Sequence, residues 1–167
     1  MGIGNAWGGD DAAGVEVARA LHRSEPSARV VEYGGEPSGL IEAWREADDV
    51  VLVDAVSSGA RPGTVHHVDL NAGPLLPEMG EASTHHLGLA DAVELARVLG
   101  RLPARLELYG IEGRDFDTGA ALTPEVRDAV ERVVAELAPR LGSRAFMGAK
   151  HDASTVDSTD AGADRSF

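Results

Sequence analysis

The stretch "DDVVLVDAV", residues 48–56, decides the fold. Two acids are followed by an unbroken apolar run that meets a single aspartate, Asp54, near its end. That is the pattern of a strand buried on both faces of a parallel sheet. A half-exposed strand would alternate apolar and polar residues instead.

Outward from this strand, segments of strand and helix character take turns. Upstream, "SARVVEYGG" (residues 27–35) reads as a strand ending in two glycines, and "PSGLIEAWREA" (37–47) as a short helix that Pro37 can start. An earlier helix runs to about Leu21 on a stripe of Val15, Ala18 and Leu21, with Asp10 or Asp11 as its cap. Downstream, "PGTVHHVDL" (62–70) alternates behind a Pro-Gly turn and reads as an edge strand. A loop with Pro74 and Pro77 leads to "STHHLGLADAVELARVLG" (83–100), a helix with Ser83 or Thr84 as N-cap and Gly100 at its end. "ARLELYGIEG" (104–113) is another strand. The clearest helix is "TPEVRDAVERVVAELAPRL" (123–141), with Thr123 as cap, Pro124 at the first position, and Val126, Val130, Val133 and Leu137 on one face.

This alternation predicts an α/β domain: three layers, with a mostly parallel twisted sheet of about five strands flanked by helices, and one antiparallel edge strand. Residues 1–142 form that domain. Residues 143–167, dominated by small residues, Ser, Thr and Asp, read as a disordered tail. The chain has no cysteine, which excludes a disulfide framework, a thiolate metal site and a cysteine nucleophile. A net charge of −13 argues against a nucleic-acid partner. No apolar run approaches the roughly 18 residues of a membrane span, and nothing resembles a signal peptide, so a cytoplasmic protein without a membrane partner is expected. Lys150 is the only lysine and lies in the tail, which argues against Schiff-base chemistry.

Ligand sites in open α/β sheets gather at the carboxyl ends of strands. The opening "MGIGNAWGGDD" (1–11) is one such loop. It misses the dinucleotide spacing by one residue, and Trp7 with two acids occupies the ground where a pyrophosphate would lie. A tight strand-to-helix turn is the simpler reading. Asp10 and Asp11 at this loop, Asp54 ending the buried strand and His85 at a helix start form a second constellation. An acid closing an apolar strand is costly unless solvated, paired or bound to a cation. Two carboxylates and an imidazole suit a borderline divalent ion such as nickel or zinc. The bland alternative is that Asp54 bonds loop amides and His85 decorates a cap. His66 and His67 point to opposite faces of a strand, so at most one could join a metal cluster. Ser57 and Ser58 lack the surroundings of a nucleophile elbow.

Taken in order, "GIGNAWGGDD", "YGGEPSGL", "VVLVDAV" and "STHHLGLAD", continued by "LYGIEG" and "GAALTPEVRDAV", resemble the nickel–iron hydrogenase maturation endopeptidases. The likeness runs from Gly2 to about Leu141. It implies an endopeptidase that removes the C-terminal extension of the large-subunit precursor of such a hydrogenase. It implies that nickel, supplied by the substrate, serves recognition, and that zinc or cadmium can stand in for it. Carried over residue by residue, the resemblance implies Asp11, Asp54 and His85 as metal ligands, with His86 as understudy to His85. Asp10 or Glu36 would accept protons. A monomer is expected.

Two departures stand out. Tyr33 occupies the place before the glycine pair where many relatives carry aspartate, and Glu36 is the candidate to compensate. Relatives also begin with a buried strand before G-x-G-N, whereas here the loop starts at residue 2. The first central strand is therefore expected to be truncated or missing, leaving unpaired backbone beside apolar neighbours. Apolar residues restored upstream would then stabilise the protein. A non-catalytic metal-binding accessory module for metalloenzyme maturation is the alternative to the endopeptidase, and a nucleotide-binding regulator a third reading.

Overall fold

The computed structural model describes the backbone of residues 1–34, 38–73 and 84–149, and the side chains of residues 1–34, 39–73 and 88–142. Five strands, β1 (Gly2–Ile3), β2 (Glu32–Tyr33), β3 (Asp49–Val56), β4 (Val65–Asp69) and β5 (Arg105–Glu112), form one sheet in the order β2-β1-β3-β5-β4. All neighbours run parallel except the edge strand β4, which is antiparallel to β5. The helices are α1 (Ala13–Ser24), α2 (Ser38–Ala43), α3 (Thr84–Val98) and α4 (Pro124–Ala149), with a 3-10 turn at Gly9–Ala12 before α1.

The apolar run behind β3 explains the three layers. Val50 and Leu52 face a cluster with Leu40, Trp44, Leu89, Val93, Leu106 and Leu108, contributed by α2 and the turn after it, α3 and β5. Val53 and Ala55 face the opposite cluster with Val17, Leu21, Ile111, Val126 and Val133, contributed by α1, α4 and β5. The period of two along a strand thus feeds both faces, as a strand buried on both sides requires. Gly14 lets α1 lie directly on the sheet, since a Cβ there would run into the carbonyl oxygens of Ile3 and Val53.

Three local expectations are corrected. Neither Asp10 nor Asp11 caps α1: the chain enters through the 3-10 turn, and neither the Gly8 nor the Ala12 cap position makes a side-chain cap hydrogen bond. The strand expected over 27–35 shrinks to Glu32–Tyr33, because β1 offers it only two partners, Gly2 and Ile3. The last helix continues past Leu141 to Ala149. The remainder of the expected tail, residues 150–167, and the loop of Pro74 and Pro77 lie outside the described residues.

Central but two residues long, β1 begins only at the level of Val53, partway along β3. The Met1 ammonium donates to the Val51 carbonyl at 2.6 Å, and the Val53 N–H donates to the Met1 carbonyl at 2.9 Å. Around Met1 lies a cavity of about 130 Å³, lined mainly by apolar side chains including Val30, Val31, Trp44 and Val50. Burial pushes the Met1 ammonium down to a pKa of about 6.

Candidate active site

At the carboxyl ends of β1, β3 and β5 the sheet presents three buried acids, Asp11, Asp54 and Glu112, with Asp10 beside them. The chain leaves β1 through Gly4, whose φ of 134° and close approach to the Asp11 carbonyl admit only glycine. That sharp turn brings the Asn5 N–H to Asp11, where it donates to Oδ2 at 3.0 Å. Asp11 is 8% exposed and Asp54 fully buried.

Burial, and next the charge of Asp11, push the Asp54 carboxyl up to a pKa of about 8, against a smaller opposing effect of the Ala55 N–H. Asp11 and Asp54 therefore act as one electrostatic pair, although they are 43 residues apart in sequence (54 − 11). Such a pair at neutral pH favours either a proton or a cation between its carboxylates. Oxygen donors of this kind fit a divalent metal ion.

Asp10 occupies a different position from its neighbour. Its Oδ2 accepts the N–H of Arg114 at 2.9 Å, the N–H of Asp115 at 3.0 Å and the Thr123 hydroxyl at 3.0 Å. Its Oδ1 accepts the Thr123 N–H at 2.7 Å, and its own N–H donates to the Asp115 carbonyl at 2.7 Å. Fully buried, Asp10 thus ties the first loop to the segment between β5 and α4. Thr123, expected as the cap of α4, gives both its amide and its hydroxyl proton to this carboxylate.

Glu112 escaped the sequence reading. It ends β5 as Asp54 nears the end of β3, so the same signal, an acid closing an apolar strand, marks it. Its Oε1 accepts the N–H groups of Ser58 and Gly59 at 2.8 and 2.9 Å, and its Oε2 accepts the Ser58 hydroxyl at 2.8 Å. His66 Nε2 lies 3.4 Å from the same Oε2. Ser58 thereby serves as a loop anchor, in line with the absence of a nucleophile elbow. His67 sits on the other face of β4, bonded to Glu107 at 2.9 Å and stacked on Tyr109 with ring centroids 4.4 Å apart. The two histidines part as the strand period requires.

Of the three residues carried over as metal ligands, the structure brings Asp11 and Asp54 together. His85 and His86 lie in the first turn of α3, and their side chains, like the whole of Glu36, lie outside the described residues. Among the described residues, no group of three or more His, Cys, Asp or Glu is arranged to hold a metal ion. Tyr33 packs over α2, where Gly39 leaves room for its hydroxyl.

A mostly parallel sheet with an acid pair at its strand ends defines an α/β domain with its candidate site at the carboxyl ends of the strands. The chain belongs to the hydrogenase maturation protease family, whose pattern matches residues 15–140. It is accordingly a peptidase. It is 30% identical over 145 residues to the hydrogenase 2 maturation protease of Escherichia coli, covering 82% of this chain and 88% of that protein. It is 28% identical over 162 residues to the hydrogenase expression/formation protein HupD of Thiocapsa roseopersicina, covering 95% of this chain and 73% of that one. Among solved structures, the NiFe hydrogenase maturation protease HybD from Thermococcus kodakarensis superimposes with a TM-score of 0.65 at 29% identity, over 84% of this chain and 95% of that one. Among the described residues, no helix is long and apolar enough to cross a membrane.

Proposed function

We propose that this peptidase removes the C-terminal extension of the large-subunit precursor of a nickel–iron hydrogenase, and that it recognises nickel already carried by the precursor. Family membership supports the peptidase and its place in hydrogenase maturation. The observation that carries the finer reading is the Asp11–Asp54 pair, a buried carboxyl pushed up to about 8 beside a second acid at the strand ends. A group so placed loses its proton to solvent readily only when another positive charge takes the proton's place.

In this reading Asp11 and Asp54 supply two oxygen ligands, and His85, in the first turn of α3, the third. The metal belongs to the substrate, and zinc or cadmium would substitute for it. When bound, a divalent ion polarises a scissile carbonyl or activates water. Asp10, with both oxygens engaged by loop donors, holds the loop that carries Asp11, which leaves Glu36 as the candidate proton acceptor.

Incubation with nickel-loaded precursor, followed by intact mass, tests the proposal. Wild-type protein shortens the precursor at its C-terminus, and Asp11→Ala, Asp54→Ala and His85→Ala each leave its mass unchanged. Normal processing by all three variants would refute the site. Binding of the precursor without any loss of mass by wild-type protein would point instead to an accessory module.

A further inference from the structure

Trp7 is 75% exposed, on the loop that carries Asp11. Its backbone is nevertheless held at both polar groups. The Trp7 N–H donates to Asn5 Oδ1 at 3.0 Å, and its carbonyl accepts the Gly119 N–H at 2.7 Å. The Asn5 N–H in turn bonds Asp11 Oδ2 at 3.0 Å, and the Gly8 N–H bonds the Asn5 carbonyl at 3.0 Å. One asparagine thus touches the Asp11 carboxylate and fixes the backbone of the exposed tryptophan.

A tryptophan can bury roughly 150–250 Å², so leaving one in water on a loop this well tied forgoes packing that a flexible loop could have recovered. Exposed tryptophans held in a defined backbone lose little freedom on binding and recur among the residues that dominate protein interfaces. Sites for small ligands are concave, whereas this indole projects outward and needs a concave partner. The net charge of −13 disfavours a nucleic-acid base as the stacking partner. Among the described residues, the other exposed large apolar side chains, Leu95, Val98 and Leu99, cluster at the far end of α3.

We infer that Trp7 is the docking anchor of this site for its protein substrate. The indole inserts into an apolar recess on the hydrogenase precursor and brings the bond to be cut to Asp11 and Asp54. This rests on the reading of the site as one that processes such a precursor.

Two measurements on the full chain test it. In a Trp44→Phe background Trp7 is the sole indole, and saturating nickel-loaded precursor blue-shifts its emission and protects it from acrylamide. In cleavage assays, Trp7→Ala raises KM about tenfold or more with kcat within about twofold, while Trp7→Phe recovers most of the loss. A wild-type KM for Trp7→Ala, or Trp7 emission unmoved by bound precursor, overturns the inference while leaving the peptidase reading intact. A Trp7 fluorescence response in the Trp44→Phe background, with no cleavage by wild-type protein, would sink the proposed processing of the precursor and support the docking role. A blue shift that grows with protein concentration alone would mark self-association and overturn the substrate assignment.

Discussion

Asp10 and Asp11 are the same residue type, adjacent in the chain, with opposite work. Asp11 faces Asp54 and contributes charge to the site, whereas Asp10 turns away and collects four donors from the segment between β5 and α4. Removing the Asp10 carboxylate strands the buried amide and hydroxyl of Thr123 and two part-buried amides, which costs about 3 kcal/mol. Asp10→Ala is therefore expected to lower the melting temperature by roughly 6–12 °C, with Asp10→Asn recovering part of it because one acceptor oxygen survives. A thermal melt within 2 °C or so of wild type would show that the clamp contributes nothing measurable. As two acids after a glycine loop, either could cap the helix, and only the family resemblance sets Asp11 apart as a metal ligand and Asp10 as a proton acceptor. The donors that distinguish them lie more than a hundred residues away, Thr123 being 113 positions from Asp10, so no local pattern could separate the pair.

At the scale of elements, the long apolar strands and amphipathic helices were legible because each carries its own signal. β3 and β5 have apolar runs, α4 has caps and a stripe, and β4 alternates as an edge strand does. β2 was legible as a strand but not in its length, since of "RVVEY" only Glu32 and Tyr33 find partners on β1. The same short β1 leaves the cavity around Met1. The Val53 N–H and the Val51 carbonyl both point toward β1, so the backbone groups of residues 49, 51 and 53 share that side. Appending two or three apolar residues before Met1 should continue β1 alongside β3, fill the cavity and move the ammonium out of it. The buried ammonium has a folded pKa of about 6 against an ordinary 8.0, so its cost is fully present below about pH 6 and vanishes as pH rises past 8. The extended protein should melt higher than the original throughout, with the gap widest near pH 6 and narrowing toward pH 9. Equal melting temperatures at pH 6 would show that the slot does not accept the added strand.

Across the whole molecule, the site is maintained against stability. Asp54 has a folded pKa of about 8 against the ordinary 3.8, so between those values the folded chain holds a proton that the unfolded chain has lost. Its contribution therefore falls as pH rises from about 4 to about 8 and levels off above, with a slope of up to about 1.4 kcal/mol per pH unit. Asp54→Asn, neutral at every pH, should gain on wild type across that window, so that urea midpoints nearly coincident at pH 4 diverge by pH 8. A difference that stays constant with pH would remove the claim that burial and Asp11 load this carboxyl. The order of strands and helices, the parallel sheet and the gathering of acids at strand ends were all determined by the sequence itself, because apolar period and length are local quantities that a single chain displays. Which acid pairs with which was decided only in three dimensions. Burial and charge act through space: Asp54 feels Asp11 across neighbouring strand ends, Asp10 is claimed by Thr123, and Glu112 closes on Ser58, and none of these distances is written in the spacing of the residues.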